Sequence, residues 1–334
     1  MNRRAFISFF RSTSSTLRNR GFATFCPRKH PQINLQMDSP YVPTDFKPFR
    51  LGLVQLLSGM DKMDNLKNAR TKVLEAAKNG ANIVVLPEIF NSPYSVAHFR
   101  EYAEDFVTTS HSPSYDALSQ MAKDAKVYLF GGSIVELDND KVYNTALVFS
   151  PDGSLLGKHR KMHLFDVDIP NGIRFIESEV LSPGNAMTMV QTEFGKFGMG
   201  ICYDIRFPEL AMIAARNGCA GMIYPSAFNT TTGPLHWELL ARSRAVDNQI
   251  FVALCSPARN MDASYHAYGH SMAVDPYGKI LAEAQEGPAI IYADINPTTM
   301  EVCRRAIPLY TQRRFDMYTQ VQEQEASKEN RGKQ

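Results

Sequence analysis

Three residues of reacting type stand where strand-like runs end. Glu88 closes Leu86-Pro87-Glu88 after the apolar run 81–86. Cys202 follows the run 197–201 in Gly200-Ile201-Cys202-Tyr203-Asp204-Ile205-Arg206. Lys161 lies in Gly157-Lys158-His159-Arg160-Lys161-Met162-His163-Leu164, just after a Pro-Gly hairpin. Reacting groups of α/β sheets gather at the carboxyl ends of strands. Each residue alone has an ordinary use: a surface carboxylate or cap, a small buried hydrophobe, a solvated cation. Together they answer one chemical need. Amide hydrolysis by a thiol requires a nucleophile, a base for its proton and positive charge for the developing oxyanion. Cys, Glu and Lys fill those roles without a histidine. A neighbouring ammonium is expected to depress the thiol pKa. Burial is expected to raise that of the glutamate.

The surrounding pattern predicts elements able to hold such a site. Strands are expected over 49–56, 81–86, 127–135, 142–150, 197–201, 220–224 and 250–255. Helices are expected over 64–79, 114–126, 208–217 and 235–247, with Gly80 and Gly218 ending two of them. This alternation argues an α/β fold. Phe149-Ser150-Pro151-Asp152-Gly153 resembles Val274-Asp275-Pro276-Tyr277-Gly278, each a strand entering a Pro-x-Gly turn. Matching hairpins suggest two related βαβ halves with their sheets packed face to face. After Tyr318 the chain turns polar, which predicts a solvated tail over 319–334.

The 334 residues suffice for a sizeable core, and 44% hydrophobic with 21% charged residues excludes disordered and low-complexity classes. The net charge of +2 conceals an asymmetry. Residues 1–37 carry six Arg, one Lys and no acid, whereas 38–334 hold 29 basic and 34 acidic side chains. The mildly acidic body argues against a nucleic-acid partner. The Arg- and Ser-rich leader over 1–37 has the composition of a mitochondrial transit peptide. A second start at Met37 would give a cytoplasmic form. The longest uncharged stretch, 217–237, is broken by Pro225 and Pro234, so no membrane span is expected. The five cysteines are scattered, which excludes a zinc ribbon and argues against a disulfide framework.

Leu-Pro-Glu ending at Glu88, Lys161-Met-His-Leu-Phe-Asp, and Gly-Ile-Cys202-Tyr-Asp-Ile-Arg-Phe-Pro-Glu resemble, in order and separation, three signature blocks of the nitrilase superfamily of carbon–nitrogen hydrolases. The resemblance spans 48–318. It implies a four-layer α-β-β-α sandwich, a homodimer paired through helices, and no metal or organic cofactor. Phe175-Ile176-Glu177-Ser178 resembles the segment carrying a second active-site glutamate, so Glu177 is expected to orient Lys161 and the substrate.

Within the superfamily, Lys161–Pro170, Ala227–Trp237, Arg242–Gln249 and Ser256–Asn260 are most similar to the omega-amidase branch. That resemblance implies short dicarboxylic monoamides as substrates, α-ketoglutaramate and α-ketosuccinamate foremost. Their distal carboxylate needs a cation. Arg206 is the candidate, because guanidinium forks carboxylate bidentately; a structural ion pair with Asp204 or Glu209 is its competing use. Thr232 is a candidate hydroxyl donor to the same carboxylate, the Tyr203 N–H a candidate oxyanion donor, and Phe228 either pocket wall or core. The deaminated-glutathione amidase branch shares Glu88, Lys161 and Cys202 and stands as the alternative; an inactive binding scaffold is more remote. His159 and His163, four apart, suggest a metal face, but Arg160 and Lys161 between them repel a cation. Cys219 and Cys255 sit in apolar strand contexts and read as core.

Overall fold

A computed structural model describes residue 43 and residues 45–106, 112–168 and 174–318. The expected leader over 1–37, the start at Met37 and the tail over 319–334 lie outside the described residues. All described residues belong to one compact unit.

The first half runs β1 (Phe49–Gln55), α1 (Lys62–Lys78), β2 (Ile83–Val85), α2 (Val96–Tyr102), α3 (Pro113–Ala125), β3 (Tyr128–Asp138), β4 (Lys141–Phe149) and β5 (Leu155–Arg160). A small hairpin of β6 (Asp166–Asp168) and β7 (Arg174–Ile176) follows. The second half runs β8 (Met189–Thr192), β9 (Gly195–Met199), α4 (Pro208–Arg216), β10 (Gly221–Pro225), α5 (Gly233–Asn248), β11 (Phe251–Cys255), β12 (Met272–Val274) and β13 (Ile280–Glu283). β14 (Ala289–Ile295), α6 (Pro297–Ala306) and α7 (Leu309–Gln312) end the chain.

Local chemistry sets the helix ends. The Asp61 carboxylate accepts from the Asp64 N–H and caps α1, two residues earlier than the apolar pattern suggests. Gly80 follows the helix at φ +86°, where a side chain would be strained. Pro208 and Pro234 lie in the first turns of α4 and α5, where a missing N–H costs nothing.

The strands form two six-stranded sheets, ordered β14-β1-β2-β3-β4-β5 and β13-β12-β11-β10-β9-β8. In each, three parallel strands (β1-β2-β3 or β9-β10-β11) are followed by two antiparallel ones. The turns at Gly153 and Gly278 join corresponding pairs, β4 to β5 and β12 to β13, both at positive φ. The expected kinship of the two halves is therefore present in the topology. Each sheet also gains one antiparallel strand, β14 beside β1 and β8 beside β9.

Strand alternation divides the core. Ile83 and Val85 of β2 pack with Phe130, Phe197 and Ile223 between the sheets, whereas Val84 packs with Ala69, Val73 and Leu118 under α1 and α3. Both faces of β2 are buried, as a central parallel strand requires. Helices α4 and α5 cover the second sheet through Ala211, Ala214, Trp237 and Ala241. The layers are thus α-β-β-α. No helix among the described residues is long and apolar enough to cross a membrane.

Candidate active site

Glu88 lies three residues past β2, Cys202 three past β9, Lys161 directly after β5 and Glu177 directly after β7. The backbone bends sharply at two of these points. Cys202 has φ +46° and Ile89, next to Glu88, has φ +47°, a costly region for residues other than glycine. The Glu88 turn is held from β3. Gly132, at φ +65°, leaves room for Pro87, whose carbonyl accepts from the Ser133 N–H at 3.1 Å. The Ser133 hydroxyl in turn accepts from the Ile89 N–H at 3.0 Å.

The four expected reacting side chains meet in one buried cluster. Lys161 Nζ donates to Glu88 Oε1 at 3.0 Å and to Glu177 Oε1 at 2.8 Å, with all three side chains fully buried. An ammonium has three donors, so one remains for a substrate oxygen. Glu88 Oε1 also accepts from Asn144 Nδ2 at 2.8 Å and from the Tyr94 hydroxyl at 3.2 Å. The same hydroxyl lies 3.1 Å from Glu177 Oε1. Glu177 Oε2 takes the Phe165 N–H at 2.8 Å. Glu88 Oε2 has no hydrogen-bond partner among the described residues, and the Cys202 thiol stands close enough to this carboxylate to act on its charge.

Burial pushes the Glu88 pKa up, and Lys161 only partly offsets it. Burial opposes the charge on Lys161 as well, but Glu177 and Glu88 win and hold its pKa well above the ordinary lysine value. The Cys202 thiol is corrected from the expectation. Burial and the Glu88 charge raise its pKa well above normal, and Lys161 and the Ala227 N–H do not reverse this. Two carboxylates against one ammonium leave no surplus positive charge for a resting thiolate. The site instead holds a thiol beside a carboxyl base, and attack requires the proton to pass from sulfur to Glu88.

Arg206, Tyr203, Phe228 and Thr232 line a narrow cavity together with Cys202. Arg206 forms no ion pair among the described residues: Asp204 turns to His159 and His163, and Glu209 is exposed. The guanidinium lies 5.0 Å from the Phe228 ring centre and 5.5 Å from that of Tyr203. Nη1 contacts His236 Nδ1 at 3.2 Å, and Nε is buried without a partner among the described residues. Phe228 is both wall and core, packing edge-on against Trp237. Thr232 fits its expected role poorly, because its one hydroxyl hydrogen is given to Asn229 Oδ1 at 3.0 Å. Tyr203 is the second residue of a short 3-10 segment over Cys202–Arg206, whose first N–H groups have no intrahelical partner.

A second cleft of about 330 Å³ reaches Glu88, lined by Tyr94, Tyr265, Ala227 and Asn260 among others. Tyr265 and Ala227 belong to both spaces. The sequence reading missed Tyr94, Asn144 and Tyr265. Asn144 carried a signal, a polar side chain inside an apolar strand. Cys219 and Cys255 are buried, and burial pushes both thiol pKa values up, that of Cys219 to about 12.

The carbon–nitrogen hydrolase family model matches residues 50–305. A Schizosaccharomyces pombe hydrolase is 65% identical over 283 residues, 85% of this chain and 87% of that protein. An omega-amidase of Saccharomyces cerevisiae is 60% identical, covering 81% of this chain and 95% of its own length. An omega-amidase of Mus musculus is 54% identical, covering 81% and 97%. The crystal structure of Saccharomyces cerevisiae Nit3, a member of branch 10 of the nitrilase superfamily, superposes with a TM-score of 0.76 at 55% identity, covering 82% of this chain and all of that one. The chain therefore belongs to the carbon–nitrogen hydrolases of the nitrilase superfamily.

Proposed function

We propose that the protein is an omega-amidase, which hydrolyses the terminal amide of α-ketoglutaramate, α-ketosuccinamate and related dicarboxylic monoamides to the dicarboxylate and ammonia. One observation carries this reading: Arg206, which has no ion-pair partner among the described residues, shares a narrow cavity with a cysteine whose neighbour is a buried carboxylate base. The names of the yeast and mouse relatives support it.

In the first half-reaction Glu88 accepts the Cys202 proton and the sulfur bonds to the amide carbon. The remaining Lys161 N–H and the Tyr203 N–H receive the oxyanion. Glu88 returns its proton to the leaving nitrogen, the carbon–nitrogen bond breaks, and ammonia departs from a thioester. In the second half, water gives a proton to Glu88 and bonds to the carbonyl carbon. The carbon–sulfur bond then breaks, and the thiol recovers that proton. Glu177 holds Lys161 in place throughout. Arg206 forks the distal carboxylate, and Phe228 walls it.

Two further assignments belong to this reading. A homodimer would cover Leu235, Leu239 and Val246, apolar residues exposed along one face of α5; light scattering of the purified protein tests it. Residues 1–37 would direct the chain to mitochondria, and a start at Met37 would leave it cytoplasmic; N-terminal sequencing of the two fractions tests that.

The functional test is ammonia release by protein starting at Met37, with α-ketoglutaramate and deaminated glutathione compared side by side. A higher kcat/KM for α-ketoglutaramate supports the omega-amidase reading. The reverse preference assigns the chain to the deaminated-glutathione branch.

A further inference from the structure

One buried carboxylate outside the reacting cluster is bonded to both segments that supply it. Asp204 stands two residues past Cys202 and is fully buried. Its Oδ2 accepts from the Ile201 N–H at 2.9 Å and lies 3.3 Å from His159 Nε2. Its Oδ1 accepts from the His163 N–H at 2.9 Å and lies 2.8 Å from His163 Nδ1. The two histidines flank Lys161 at two residues on either side. Their spacing of four, which suggested a metal face, thus serves another purpose. Both ring nitrogens of His159 have protein partners, Asp204 and the Thr188 hydroxyl, so no ligand face remains.

The need for such a brace is visible in the backbone. Cys202 sits at φ +46°, a conformation that persists only where its surroundings over-determine it. Asp204 reaches back over Cys202 to the Ile201 N–H and closes that turn. The histidines are fixed from behind, His159 by Thr188 and His163 by a face-to-face stack on Phe207 at 3.6 Å between ring centres. Thr188 is itself anchored by donating to the Lys158 carbonyl at 2.9 Å. A chain of fixed contacts therefore runs from the lysine segment to the cysteine turn.

We propose that Asp204, gripped by His159 and His163, is a positioning residue that sets the Lys161 ammonium against the Cys202 thiol. It touches neither substrate nor reacting atom. Burial disfavours its charge, but the hydrogen bonds from His159 and His163 win and hold the carboxyl well below the usual range. The inference rests on the reading that Lys161 and Cys202 carry the chemistry.

The test measures kcat and KM for α-ketoglutaramate per mole of folded protein, the folded fraction being read by circular dichroism. Asp204→Asn leaves one oxygen to serve four contacts and is expected to lower kcat about 100-fold, with KM within about threefold. His163→Ala is expected to lower kcat about tenfold or more. His163→Asn keeps a donor near the place of Nδ1 and is expected to recover most of that loss, which a merely space-filling ring would not permit. His163 is partly exposed, so this pair remains informative if Asp204→Asn does not fold. The proposal is overturned by kcat within threefold of the parent in Asp204→Asn, or by equal losses in His163→Ala and His163→Asn. Lys161→Met and Cys202→Ala in the same assay separate the two levels. If these retain activity, the reading of the site fails; if only they lose it, the positioning role alone fails.

Discussion

Lys161 binds Glu88 through one carboxylate oxygen only, Nζ to Oε1 at 3.0 Å, and leaves Oε2 for the thiol side. Three donors crowd Oε1 while Oε2 has none of its own. The glutamate is thus held rigidly by one oxygen and offered as a base by the other. Glu88→Gln keeps the shape and an acceptor but removes the base. Its kcat is expected to fall about 100- to 10,000-fold, with alkylation of Cys202 slowed in parallel. Stopped-flow ammonia release and iodoacetamide labelling check both.

The direction of the Glu88 shift fixes the acid limb of the pH profile. A base works only when ionised, and burial raises its pKa. kcat/KM should therefore rise with pH through an apparent pKa above the ordinary glutamate value of about 4.3, a property of the coupled cluster rather than of one residue. Asp204 acts on stability with the opposite sign. Its folded pKa is depressed, so it stabilises the fold above the ordinary aspartate value of about 3.9 and loses that contribution as pH falls towards its folded value. Thermal melts from pH 6 down to 3, parent against Asp204→Asn, should show the difference between them shrinking with acid.

Arg206 should govern affinity for the distal carboxylate. Arg206→Met is expected to raise KM for α-ketoglutaramate about 10- to 100-fold, the equivalent of about 1.5–3 kcal/mol for a charge-assisted contact. The effect on a monoamide lacking that carboxylate should be within about threefold. Steady-state kinetics on both substrates read the contrast.

Gly132 is expected to be intolerant. A Cβ there would stand 2.2 Å from the Pro87 carbonyl oxygen, at a backbone φ of +65°. Gly132→Ala should cost about 2–4 kcal/mol, from strain and overpacking together. Because Pro87 precedes Glu88, the surviving folded fraction should also turn over more slowly. A melting curve and activity per mole of folded protein separate the two effects.

Much of this site was legible because its parts follow strand ends. Glu88 and Cys202 each sit three residues past a strand whose apolar run is visible in the sequence, and Lys161 directly follows the second strand of a Pro-x-Gly hairpin. The paired Pro-x-Gly turns likewise revealed the two halves. What was hidden depends on distant partners. β14 pairs with β1 across more than two hundred residues, and no local pattern announces that. Tyr94 bridges Glu88 and Glu177 only after the fold closes. Asp204 was weighed as a partner for Arg206, yet the turn at Cys202 points it to the histidines instead. The thiol pKa was misjudged for the same reason. Adjacency to a lysine suggested activation, whereas full burial among two carboxylates reverses it.

The central claim is that Cys202 is the nucleophile of an amide hydrolysis. The most direct measurement is ammonia release from α-ketoglutaramate by Cys202→Ala, with circular dichroism and melting temperature confirming its fold. A loss of at least about 10,000-fold in kcat from a folded variant is the predicted result. Turnover within tenfold of the parent would contradict it.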